Sequence, residues 1–169
     1  LWSLVEDVAL SLEEDGVLRL VISNGHLERD HVKVLRGLAK DRPKVTEREA
    51  QILFPDNTSR RWAGEFGEEF SSGDCHAGSY ESSIILAADP TAVREEKREA
   101  LPEHQVGLLE KMLGGASSFQ EIGADEAYCG APAEASAEEG RELIERLSTM
   151  IVESVREAWP ELFKEAAES

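Results

Sequence analysis

The sequence predicts an α/β fold, because an apolar strand, a turn and an amphipathic helix follow one another near its start. Residues 17–22 are apolar on both faces, which is typical of a strand inside a parallel sheet. Residues 27–40 show the spacing of a helix with Leu27, Val34, Leu35 and Leu38 inward. The turn between them carries His26, and open α/β sheets place their sites at such turns.

The remaining elements are predicted from periodicity and capping. A helix with Leu4, Val5, Val8 and Leu12 on one face precedes the strand and stops at Gly16. Residues 52–54 indicate a short second strand, 60–70 a helix, and 84–87 the buried face of another helix. The Gly-rich stretch 103–133 indicates loops with short helices. A capping box of Ser136 with Glu139 opens a long amphipathic helix that extends to residue 159.

Length and charge limit the classes of function. We expect the 169 residues to form a single domain, 1–169. A net charge of −17 disfavours nucleic acid and anionic membranes as partners, since both require Lys and Arg. Two cysteines without a C-x-x-C pattern fit a reducing compartment, and we expect a cytoplasmic protein. No apolar run approaches a membrane span of roughly 18 residues.

Two short stretches pair a His with a Glu next to a rigid element. The first is Asn24-Gly25-His26, with Glu28 two residues on, and the second is residues 76–83, with His76 and Glu81. Imidazole and carboxylate are ligands of divalent zinc, manganese and iron. Other roles are open at this point: Glu28 can serve as a helix N-terminal carboxylate, and His26 as a polar residue at the helix start.

At these residues the chain resembles the creatininase, or creatinine amidohydrolase, family. Asn24-Gly25-His26 matches its Asn-Gly-His motif, and residues 76–83 match its His-Ala-Gly-x-x-Glu-(Thr/Ser)-Ser motif. The resemblance implies a three-layer α/β/α fold with a mainly parallel central sheet. It implies metal-dependent cleavage of an amide C–N bond, with His76 as the catalytic proton shuttle and His26, Glu28 and Glu81 as metal ligands. Zinc is the expected ion, and manganese or iron also suits these ligands.

The family's Glu-x-His pair and downstream Asp have no counterpart in this sequence. We therefore expect the C-terminal part of a creatininase-like domain, whose N-terminal part is a separate chain, a cleaved fragment or an unseen segment. That partner would bring further ligands, cover the apolar face of the first helix, and belong to a homo- or hetero-oligomer. The alternative is a non-catalytic subunit or scaffold that kept the fold.

Other candidate residues are weaker. His31 shares a helical face with Glu28 and is a less favoured ligand. Cys75 is disfavoured as a nucleophile because its neighbour His76 points elsewhere in most backbones, and a Cys-His dyad normally brings its His from a distant segment. A small-molecule amide is the expected substrate. The sequence shows no cluster of Lys and Arg beside the motifs, which disfavours a phosphorylated substrate.

Overall fold

The computed structural model describes residues 1–46 and 49–164. The described α-helices and strands, in chain order, are α1 (Trp2–Glu14), β1 (Arg19–Val21), α2 (Arg29–Asp41), β2 (Gln51–Leu53), α3 (Glu68–Ser72), α4 (Ser79–Ala88), α5 (Glu95–Glu99), α6 (Leu108–Leu113), α7 (Phe119–Ile122) and α8 (Ala137–Ala158). The chain divides into two compact units, one made of residues 1–58 with the chain from Thr149 on, the other of Ser59–Ser148.

The first unit contains the sheet. β1 and β2 pair in parallel, with Leu20 opposite Ile52, and α2 connects them. This is the β-turn-α arrangement that the sequence predicts, and it confirms the α/β class. The residues of the core are Ala9, Leu35, Leu38 and Ile52. At its edge the carboxylate of Glu13 pairs with the guanidinium of Arg42, and both side chains are buried.

Two details of this unit differ from the sequence prediction. The buried residue of α1 is Ala9, whereas Leu4 and Val8 are 65% and 53% exposed, so the inward face of the helix is rotated from the predicted stripe. The strand is shorter than residues 17–22, and Val17 and Val21 are both exposed. The described sheet has two strands, and Arg19 and Val21 of β1 are exposed on the face opposite Leu20.

The second unit is built around aromatic and small side chains. Phe66, Phe70 and Tyr80 pack with ring centroids 4.8 to 6.4 Å apart. The single helix predicted over 60–70 is wrong: a 3-10 helix, Ala63–Phe66, is separated from α3 by Gly67, whose φ of +92° interrupts the helical path. A second cluster of Ile122, Ala124 and Cys129 lies in the predicted loop region, which does carry the short helices α6 and α7.

Helix α8 begins close to its predicted start, but its capping box forms only by half. The Oγ atom of Ser136 accepts from the backbone N–H of Glu139 at 3.1 Å. The Glu139 carboxylate does not return to the N–H of Ser136; it accepts instead from the hydroxyl of Ser83 at 2.7 Å, and Ser83 accepts from the Ser136 N–H at 3.0 Å. Ser83, wholly buried in α4, thus joins the two helices.

No helix in the described residues is long and apolar enough to span a membrane.

Candidate functional site

The loop after β1 presents His26 at the surface. The side chain of Asn24 brackets the backbone of this histidine: its Nδ2 donates to the carbonyl of His26 at 2.7 Å, and its Oδ1 accepts from the His26 N–H at 3.3 Å. An Asx turn of this kind fixes the backbone without occupying the imidazole. The ring is exposed and lies edge-on to the ring of His31, with centroids 5.0 Å apart.

Glu28 caps the N-terminus of α2. One carboxylate oxygen accepts from the N–H of Asp30 at 2.9 Å, and the other accepts from the N–H of His31 at 2.7 Å. The hydrogen bond from Asp30, then that from His31, lowers the pKa of Glu28 below its ordinary value. Glu28 thus has the helix-capping role that the sequence left open. Each oxygen retains a second lone pair, so capping and metal ligation are compatible.

His76 and Glu81 lie side by side in the second unit. Glu81 is in the first turn of α4, and its Oε2 accepts from the N–H of Ala77 at 2.7 Å. The same oxygen is 3.9 Å from Nδ1 of His76, too far for a direct hydrogen bond but close enough for a shared water or ligand. Ala77 has a φ of +51°, a left-handed conformation that costs a non-glycine residue about 1 kcal/mol or more. The motif therefore holds its backbone in an unfavourable conformation to aim the Ala77 N–H at Glu81.

Two residues that the sequence analysis missed hold His76 in place. The imidazole stacks on the ring of Phe119, with centroids 4.7 Å apart and planes 23° from parallel. The carbonyl of His76 accepts from the N–H of Cys129 at 2.7 Å. Both partners come from the Gly-rich stretch 103–133, in which no local pattern distinguishes them. The side chain remains 43% exposed, so the stacked ring can still meet a substrate.

Glu69 also holds the second motif in place, and the sequence analysis did not identify it. Its carboxylate accepts three backbone N–H groups: Tyr80 at 2.9 Å, Ser79 at 2.9 Å and Ala131 at 2.8 Å. The first two belong to the first turn of α4, where a negative charge is favourable. A Cβ atom added at Gly78 would lie 2.4 Å from an oxygen of Glu69, which explains the motif's glycine.

Asp74, which precedes the motif, performs a similar task for α6. Its buried carboxylate accepts from the N–H groups of Val106 and Gly107 at 2.9 and 2.8 Å, and also from that of Leu108. The neighbouring Cys75 is buried, and burial raises the pKa of its thiol to about 12. A thiol that stays protonated at neutral pH is a poor nucleophile, in agreement with the sequence analysis.

Cationic side chains lie nearer to the second motif than the sequence suggests. Glu81 lines a groove of about 410 Å³ together with Arg94 and Lys97, which come from the turn after α4 and from α5. The sequence analysis found no Lys or Arg cluster beside the motifs. That observation holds for residues adjacent in sequence, whereas in the structure Arg94 and Lys97 line the same groove as Glu81.

The candidate metal ligands suit a divalent ion by their chemistry. His26, Glu28 and Glu81 offer imidazole and carboxylate donors, which suit zinc, manganese or iron. In the part of the chain that the structure describes, no three His, Cys, Asp or Glu residues are grouped so as to hold a metal ion. The described residues therefore do not form a complete metal shell.

Comparison with known proteins gives one match. The sequence model of the creatininase family, described as creatinine amidohydrolase, matches residues 1–155. Neither the curated proteins nor the solved structures contain a match. The family match covers most of the chain and includes both His-containing motifs, and its members are hydrolases of amide bonds. The chain therefore belongs to the creatininase family.

Proposed function

We propose that this protein takes part in the metal-dependent hydrolysis of an amide C–N bond in a small non-peptide or short-peptide substrate. The observation that carries the proposal is the exposed His76 imidazole beside Glu81, in a chain whose family is named for amide hydrolysis. The strained backbone of Ala77 supports it, since strain of this kind is concentrated at functional sites.

His76 is the proposed proton shuttle. Stacking on Phe119 fixes the ring plane while 43% of the side chain stays accessible. An imidazole in that position accepts a proton from the attacking water as the C–O bond forms. It then gives that proton to the leaving nitrogen as the C–N bond breaks, so the imidazole returns to its starting state.

His26, Glu28 and Glu81 are the proposed ligands of a divalent ion, with zinc as first choice and manganese or iron as alternatives. A bound ion of this kind supplies an acidified water and polarises the substrate carbonyl. Because catalytic zinc sites use three protein ligands with an open position, and the described residues group no three, further donors are needed. We assign them to a partner segment or chain with a Glu-x-His pair and an Asp, in a homo- or hetero-oligomer.

The proposal also covers the layer arrangement of the fold and the cellular location. The family supports a three-layer α/β/α arrangement with a mainly parallel sheet, of which β1 and β2 are the described parallel pair. The free thiols of Cys75 and Cys129 support a reducing, cytoplasmic location.

The experiment uses the native assembly, purified without chelators, assayed for bound metal and for hydrolysis of a panel of small amides. His26→Ala should lose metal and turnover together. The matched control is His104→Gln, which alters an imidazole bonded to the Gly123 carbonyl at 3.0 Å and should keep both. Full metal occupancy in His26→Ala would remove this residue from the ligand set. A wild-type assembly with neither metal nor turnover would favour the scaffold alternative.

A further inference from the structure

The groove beside Glu81 has the size of a small-molecule site. Its volume of about 410 Å³ lies within the usual range for ligand pockets, roughly 300 to 1,000 Å³. Ala77 and Glu81 of the second motif form one part of its wall, and Arg94 and Lys97 form another. A molecule in the groove would therefore lie against Glu81 of the motif and against two cations.

Arg94 and Lys97 are unpaired cations in the described part of the chain. Both side chains are exposed, and neither forms an ion pair with another residue of the described chain. Glu81 is the one acidic side chain among the described residues that line the groove. In a protein with a net charge of −17, the groove wall thus carries two unpaired cations and one carboxylate, although Glu95, Glu96 and Glu99 lie close to them in sequence.

Arg98, the third cation of the groove, holds α5, and with it Arg94 and Lys97, against the neighbouring chain. Its Nη1 donates to the carbonyls of Pro132 and Ala133 at 2.7 and 2.9 Å. Its Nε and Nη2 bind both carboxylate oxygens of Glu95 at 2.9 and 2.7 Å. These bonds fix α5 against the 3-10 helix that begins at Pro132. Arg98 is thus neutralised and buried, whereas Arg94 and Lys97, one turn apart, remain available.

We propose that Arg94 and Lys97 form an anion-binding subsite that holds a carboxylate or phosphate group of the substrate while its amide lies at Glu81 and His76. The inference rests on the proposed function and deepens it: the substrate is an acidic amide. A guanidinium and an ammonium on one wall match the oxygens of such a group through charge-assisted hydrogen bonds. The two cations act in binding, and the proton transfer remains with His76.

The first test measures binding without catalysis. Inorganic phosphate and malonate are titrated into the native assembly at low ionic strength by calorimetry. The double variant Arg94→Gln/Lys97→Gln should weaken the binding of at least one probe about tenfold or more. The control Lys33→Gln/Arg141→Gln removes the same charge from two exposed positions outside the groove and should change it less than twofold. Equal weakening in both variants, or no binding to wild type, would overturn the inference.

The second test separates the subsite from the reaction. Amides bearing a carboxylate, a phosphate or a neutral group of similar size are compared as substrates. The groove variant should raise KM for the preferred acidic amide about tenfold and leave kcat, and the neutral amide, nearly unchanged. The wild-type preference between carboxylate and phosphate identifies the anion. Hydrolysis of neutral amides alone would refute the subsite but keep the proposed function. Anion binding that depends on Arg94 and Lys97, with no hydrolysis, would support the subsite and refute the function.

Discussion

The carboxylate of Glu69 provides the most quantitative prediction. It accepts three backbone N–H groups, from Ser79, Tyr80 and Ala131, all at 2.8 to 2.9 Å. Hydrogen bonds to a charged group contribute about 1.5 to 3 kcal/mol each. Water can replace part of this at the first turn of a helix, because those N–H groups lie at its open end. Glu69→Ala should therefore lower the free energy of unfolding by about 3 to 5 kcal/mol rather than by the full sum.

The assay is urea unfolding of the native protein, followed by circular dichroism. Glu69→Gln keeps a carbonyl acceptor but loses the charge and should fall between wild type and Glu69→Ala. The matched control is Glu68→Ala: this neighbour in α3 is exposed and has no described hydrogen bond, so its loss should cost less than about 0.5 kcal/mol. Equal costs for Glu68→Ala and Glu69→Ala would refute the claim that this carboxylate anchors the motif.

Three further predictions concern packing, reactivity and pH. Gly140→Ala would place a Cβ atom 1.8 Å from the carbonyl oxygen of Ser83, so this variant should unfold at much lower urea than Gly64→Ala, which meets nothing within 4 Å. Burial raises the pKa of Cys75 to about 12, so iodoacetamide at pH 8 should label this thiol only after denaturation; rapid labelling of the folded protein would contradict its burial. Backbone hydrogen bonds lower the pKa of Glu28 in the folded protein below its ordinary value of 4.5. The ionised carboxylate therefore stabilises the fold at pH values above 4.5, and this contribution is lost as the pH falls through the lowered pKa of the folded state. The free energy of unfolding of Glu28→Gln should therefore decrease less than that of wild type as the pH is lowered. An identical pH dependence in the two proteins would contradict the helix-capping role of Glu28.

Much of the first unit follows from local sequence. The β1-turn-α2 arrangement is predictable because a continuous apolar run and a helical spacing are patterns of a few residues, and the Asn24–His26 turn is equally local. The details that fail are those set by neighbours. Leu4 and Ala9 are both compatible with a buried helical face, and the rotation of α1 that buries Ala9 depends on its packing against α2 and the sheet.

The site is less predictable than the motifs within it. His76 and Glu81 are recognisable by spacing, and the structure places them 3.9 Å apart. Phe119 is distant from His76 in sequence, whereas Glu69 lies only ten residues before Ser79, and no periodic pattern connects either pair. Gly78 gives a partial indication of Glu69. Its φ is not left-handed, so the glycine is explained by the close approach of the Glu69 carboxylate to its backbone. The polar groove was missed for the same reason: it depends on how the chain returns after α4.

The measurement that tests the central claim most directly is the turnover and metal content of His76→Ala in the native protein. We predict that the variant keeps the wild-type metal content and loses turnover by about 100-fold or more, because a positioned proton shuttle contributes at least that factor. Turnover equal to wild type would contradict the assignment of His76 as the proton shuttle. Loss of the metal along with turnover would make it a ligand and would contradict the division of roles between His76 and Glu81.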